Sequence, residues 1–166
     1  MFKWRDFYLM KVYNSKNKYI GVVEDISIDF NKGIIEGFTI SPASIIKKHT
    51  FVSRDGIVSI DKVLRVRETS KFEGLKFKEI KFIDIINENK KLIGVLEDLI
   101  IDKEHFSIKG LIISSGIFDK MFKGKEIITL KHCTLYDNYI LYNGNERIKL
   151  KTLPHNLGGS KDVSKA

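Results

Sequence analysis

The residues with the most chemical promise are acids that come as a set and then return. Glu24, Asp25 and Asp29 lie in GVVEDISID (21–29), and Glu97, Asp98 and Asp102 lie in GVLEDLIID (94–102), 73 residues further on. Two carboxyls on one cavity wall can act as general acid and base, and several on one loop can hold a divalent cation. The spacing meets neither requirement. The stretch is rich in Val and Ile and reads as a strand, in which adjacent residues face opposite ways, separating Glu24 from Asp25. Asp25 and Asp29 share a face but stand about two pleats apart, too far for one ion. DFNKG (29–33) shares the opening of a calcium loop, but Gly33 comes one place early and Ile40 stands where the bidentate acid belongs. In the second copy, DKEHF (102–106) lacks even that likeness. The acids read as framework, with Asp25 and Asp98 accepting backbone N–H groups at a bend, and neither metal nor cofactor is expected.

Other reactive side chains are scattered. His49, His105, His132 and His155 have no ligand spacing, and Cys133 overlays an isoleucine, Ile57, as a buried inert thiol would. No nucleophile elbow, phosphate loop or dinucleotide glycine fingerprint occurs, so an enzyme is not expected.

The elements that carry these residues are themselves repeated. Residues 21–41 laid on 94–114 give 10 identities in 21 positions, including Gly21/Gly94, Asp25/Asp98, Asp29/Asp102 and Gly37/Gly110, too many for chance. The same offset of 73 places Trp4 and Phe7 on Phe77 and Ile80; downstream, an offset of 76 lays FVSRDGIVSIDKVLRV (51–66) on IITLKHCTLYDNYILY (127–142). The division predicted is a first repeat over 1–68, a linker over 69–76, a second repeat over 77–149 and a disordered tail over 150–166. Within a repeat, YLMKVYN (8–14) and KFIDIIN (81–87) read as first strands ending in turns. GVVEDISID is the second strand and GIIEGFTIS (33–41) the third. The joining FNKG is a tight turn in which Asn31 and Gly33 suit positive φ. Ile35, Phe38 and Ile40 can share a face only if a bulge falls at Gly37, and Gly110 stands at the same place in the second copy. Short strands and tight turns predict a mainly β chain of two tandem small antiparallel barrels with short helical turns.

With 43% apolar and 30% charged residues in 166, the chain is composed as an ordinary folded protein, not a disordered one. One cysteine excludes a disulfide framework, and charges at positions 3, 5, 6 and 11 leave no apolar core for a signal peptide, so a cytoplasmic location is expected. The net charge of +8 is spread along the chain and carried by 24 Lys against five Arg, which speaks for a solvated surface more than for base or phosphate recognition.

On these residues each repeat resembles the PRC-barrel family, the small β-barrel of the photosynthetic reaction-centre H subunit and of the bacterial ribosome maturation factor. The resemblance rests on VYN or IIN closing the first strand, then IGVVEDISID or IGVLEDLIID, then EGFTI or KGLII. It covers almost the whole chain, twice, and is closest in kind to two-repeat proteins of spore-forming Gram-positive bacteria, which implies a sporulation link. Many members carry a proline in the segment matching TFVS (50–53) and EIITL (126–130), and neither copy here does. The resemblance implies a barrel fold and binding to other macromolecules, and no enzyme.

The two copies differ most after their third strands. There Ile117, Phe118, Met121 and Phe122 form an apolar stripe at helical spacing, flanked by Lys120, Lys123 and Lys125. This segment either plugs its own barrel or packs on the other repeat, or else, with the surface between the barrels, is the contact for a protein partner; RNA or the ribosome is the second class of partner, an anionic membrane surface the third, and a second copy of the chain is also open.

Overall fold

The computed structural model describes residues 2–44, 48–69, 74–114 and 125–150. The chain is mainly β. Its first half runs β1 (Phe2–Lys3), α1 (Trp4–Phe7), β2 (Lys11–Asn14), β3 (Tyr19–Asp29), β4 (Ile34–Pro42), β5 (Thr50–Ser53), β6 (Ile57–Ile60) and β7 (Leu64–Val66). Its second half runs β8 (Leu75–Lys76), α2 (Phe77–Ile80), β9 (Asp84–Asn87), β10 (Leu92–Asp102), β11 (Ser107–Ser114), β12 (Lys125–Ile128), β13 (Cys133–Leu135) and β14 (Tyr139–Tyr142), with β15 (Ile148–Leu150) added on β12. β15 takes in Leu150, the first residue of the expected tail; the remainder, 151–166, lies outside the described residues.

The strands pair in one continuous path, β13-β14-β9-β10-β11-β4-β3-β2-β7-β6, open at both ends. β5 lies on β4 and β12 on β11, so these strands pair normally without the family's proline. β5 passes into β6 through a single 3₁₀ turn, Arg54–Gly56, and β12 into β13 through Leu130–His132. Not every neighbour is antiparallel as expected. β2 and β7 run parallel, as do β9 and β14, because the last strand of each half returns to the first only after crossing the β5–β6 or β12–β13 corner.

The long strands are bent where parity required. Between Ser27/Gly37 and Ile28/Ile35 the ladder carries one extra residue, Glu36, and between Ile100/Gly110 and Ile101/Ile108 the extra residue is Lys109. The bulge lets Ile35, Phe38 and Ile40 all enter the core, each with 0% of its surface exposed. Gly37 is needed there because a Cβ would run into the Val52 carbonyl oxygen and the Phe51 ring of β5. In the β3–β4 turn Gly33 takes the positive φ of 64°, while Asn31 does not; the left-handed asparagine is Asn17, in the β2–β3 turn. The first strands are shorter than the apolar run suggests: residues 8–10 and 81–83 form a turn, and pairing starts at Lys11 and Asp84.

The two halves are stitched together by reciprocal contacts. β1 pairs with β10 of the other half (Phe2 with Ile101), and β8 pairs with β3 (Leu75 with Ile28). The hairpin turns also meet, with Ile35 N–H donating to Phe106 O and Ile108 N–H to Gly33 O, both at 2.7 Å. Each leading segment therefore lies on the opposite half. One apolar core results, in which Trp4 meets Phe77 at 5.3 Å between ring centroids and Phe7 meets Phe38 at 5.4 Å.

Candidate functional site

The repeated acids sit where the leading segments cross over. A second irregularity in each long strand falls between Val23 and Asp25, and between Leu96 and Asp98, leaving Glu24 and Glu97 as the extra residues. The bend turns Asp25 and Asp98 inward, 2% and 1% exposed, so each needs donors for both carboxylate oxygens. Asp98 Oδ1 accepts Leu99 N–H from its own strand and Trp4 N–H from the start of α1, both at 2.9 Å. Its Oδ2 accepts Arg5 Nε–H at 2.6 Å. Asp25 mirrors this with Ile26 N–H at 2.9 Å and Lys78 N–H of α2 at 3.1 Å. Each buried acid thus fastens the short helix of the other half, in the manner of a cap supplied by a distant strand. The expectation that these carboxylates accept backbone N–H groups at a bend holds; that some of the donors come from the opposite half was not legible.

Electrostatics separates the two acids. Burial pushes the Asp25 carboxyl above its ordinary value, offset in part by the N–H groups of Ile26 and Lys78 and by the Lys78 charge. Asp98 instead holds the Arg5 guanidinium, which it raises above its usual range. Arg5 also stands 3.7 Å from Glu97, so the two adjacent acids share one cation, which strict alternation forbids and the bulge permits. Glu97 pairs in addition with Lys125. On the other side Glu24 pairs with His49 and lies 3.9 Å from Lys78 Nζ.

Asp29 and Asp102 close the hairpin turns. Asp29 Oδ1 accepts Lys32 N–H at 2.9 Å, and the Lys32 ammonium holds its carboxyl below the usual range. Asp102 accepts Glu104 N–H at 3.0 Å and meets His105 Nδ1 at 3.0 Å, which lowers it likewise. Asp102, Glu104 and His105 bring one ligand atom each within 4.8 Å of the others, but the acid and imidazole already satisfy each other and Lys109 Nζ stands 3.7 Å from Asp102. Cys133, expected to be buried, is only half-buried; desolvation pushes its thiol up to about 12, so it stays protonated.

Gly21 and Gly94 permit close strand crossing: Gly21 has a φ of 151°, and a Cβ there would strike the Ser41 carbonyl oxygen. Of the expected partner-contact residues, only Lys125 is described, at the start of β12; Ile117, Phe118, Lys120, Met121, Phe122 and Lys123 lie outside the described residues. Sequence reasoning missed two features. One is a groove of about 500 Å³ between the halves, lined by Phe2, Lys62, Arg65 and Lys103 among others. The second is a pair of exposed apolar turn residues, Leu9 and Phe82, whose signal was apolar side chains falling just where each helix ends.

The geometry defines a mainly β domain of bulged, strongly bent strands, in which the repeated acids are parts of the framework. Over residues 1–73 the chain matches the PRC-barrel domain family. No curated protein matches the chain. Among the described residues no helix is long and apolar enough to cross a membrane.

Proposed function

We propose that the chain is a non-enzymatic, cytoplasmic adaptor built of two PRC-type barrels, the second over 77–149 duplicating the first, and that it binds a protein partner. The observation that carries this reading is the use made of the repeated acids. Asp25 and Asp98, the best candidates for chemistry, are buried, and each accepts at least one donor from the opposite half. Such an arrangement supports a rigid bipartite platform, with recognition left to surfaces where the halves differ. Two tandem barrels are supported by the equivalent strand paths, β6-β7-β2-β3-β4-β5 and β13-β14-β9-β10-β11-β12, each returning on itself through one 3₁₀ turn.

Affinity capture from the native cell with the intact chain, with and without nuclease, tests the reading. A specific protein should be retained after nuclease treatment and at moderate salt, and Phe118→Asp with Phe122→Asp should reduce its recovery at least about tenfold, the loss expected when a buried apolar anchor is charged. The second reading, an RNA- or ribosome-associated factor, is favoured by the groove that Lys62, Arg65 and Lys103 line beside Phe2. It predicts nuclease-sensitive capture that weakens steeply with salt.

A further inference from the structure

Leu9 and Phe82 occupy equivalent places, 73 residues apart, in the turns that follow α1 and α2. Both are bulky non-glycine residues in the left-handed region, with φ of 64° and 71°. Both are also exposed, at 58% and 60%. The backbone requires the conformation: Leu9 N–H donates to Val23 O at 2.8 Å and Phe82 N–H to Leu96 O at 2.7 Å, pinning each turn to a long strand. It does not require the side chains. Glycine or asparagine would take the same φ with less strain, and an exposed leucine or phenylalanine gains little from folding. A strained position that keeps a large apolar side chain in water, twice, points to a surface role.

A chain of ring and ammonium contacts links the two turns. Tyr8, 42% exposed, stacks on Trp4 at 5.1 Å. Lys81 Nζ lies 4.3 Å from the Trp4 ring centroid and 5.0 Å from that of Phe82, and Lys78 Nζ lies 5.0 Å from that of Tyr8. Contacts thus run from Tyr8, the chain neighbour of Leu9, through the largely buried Trp4 to Lys81 and Phe82, forming a patch across the junction of the halves with ammonium groups held at the level of the rings. Among the described residues Lys81 meets no carboxylate, while Lys78 Nζ keeps Glu24, which His49 also engages, at 3.9 Å. A second copy of the same patch would set lysine against lysine, so self-association is disfavoured by charge.

We propose that this patch docks the protein on an anionic membrane surface, Leu9 and Phe82 entering the headgroup boundary and Lys78 and Lys81 meeting lipid phosphates. Apolar tips, aromatic rings and lysines at one level suit that boundary, where hydrocarbon meets negative charge. The net charge of +8 adds long-range attraction to the same surface.

Trp4 is the chain's one tryptophan and lies, 6% exposed, directly beneath Tyr8 and Lys81, so its fluorescence reports docking without a label. The intact protein is mixed with vesicles of phosphatidylcholine containing about one third phosphatidylserine, followed by co-sedimentation and by quenching of Trp4 with bromine-labelled acyl chains. Binding with quenching is expected, together with a loss of at least about tenfold in Leu9→Asn/Phe82→Asn, a pair chosen because asparagine accepts positive φ and leaves the fold intact. Absence of binding to anionic vesicles at low salt would overturn the proposal. So would binding that is unchanged in the double variant, since net charge alone would then account for it. Pure phosphatidylcholine should hold the protein weakly; equal binding there would remove the role given to Lys78 and Lys81.

Discussion

Asp25 and Asp98 began as a doubled pair of carboxyls in a strand and turn out to be the two rivets of the molecule. Their sequence context announced a structural role, because everything around them repeats, and the donors from Ile26 and Leu99 follow from the bend. The donors from Lys78 and Trp4 do not, since they come from segments about 53 and 94 residues away in the chain. Asp98→Ala should cost about 3 kcal/mol in urea denaturation, because it leaves two buried N–H groups unpaired and Arg5 with only its longer contact to Glu97. The Asp25 carboxyl carries a sign of its own. Its folded value is raised by burial, so its contribution is fully present below the ordinary aspartate range and is lost as pH rises through the folded value. Wild type should therefore lose ground to Asp25→Asn as pH is raised from about 3.5 to 6 in paired denaturation series. A margin that grew over that range would show the N–H donors outweighing desolvation.

Element by element, the strands were legible because their apolar residues alternate and their turns carry Asn and Gly. The bulge beside Gly37 could be read as well, since Ile35, Phe38 and Ile40 otherwise break parity. The equivalent glycines are not equivalent in cost, however. A Cβ on Gly37 meets the Val52 carbonyl oxygen and the Phe51 ring, whereas on Gly110 the nearest atom is the Ile128 carbonyl oxygen at 3.0 Å. Gly37→Ala should destabilise by about 3 kcal/mol and Gly110→Ala by about 1 kcal/mol, measured by thermal unfolding, because the added Cβ would lie well inside contact distance of a carbonyl oxygen in the first case and at 3.0 Å from one in the second. Equal losses would mean that β5 relaxes as readily as β12. What escaped the reading at this scale was the second bulge, at Glu24 and Glu97. Nothing in GVVEDISID marks it, because it serves to aim the next residue at a helix from elsewhere.

At the scale of the whole molecule, the reciprocal placement of α1 on β10 and α2 on β3 makes each half depend on the other. A unit of about 65 residues buries too little surface to be comfortable alone, and the shared core of Trp4, Phe7, Phe38 and Phe77 answers that need. Fragments 1–73 and 74–150 should each be largely unfolded by circular dichroism and near-ultraviolet spectra, and should regain structure when mixed. A fragment that folded cooperatively on its own would show the exchange to be dispensable. By itself the sequence determined the strand content, the equivalence of residues 73 apart, the bulge glycines and the framework character of the acids, all of which rest on local periodicity and sterics. Only the tertiary structure decided that the leading segments cross over, that Asp25 and Asp98 receive donors from the opposite half, and that Leu9 and Phe82 stay exposed in turns pinned to the long strands. Those contacts join residues far apart in the chain, and two equivalent copies offer the same local pattern whether each segment stays at home or is exchanged; the choice falls to the free energy of one large core against two small ones.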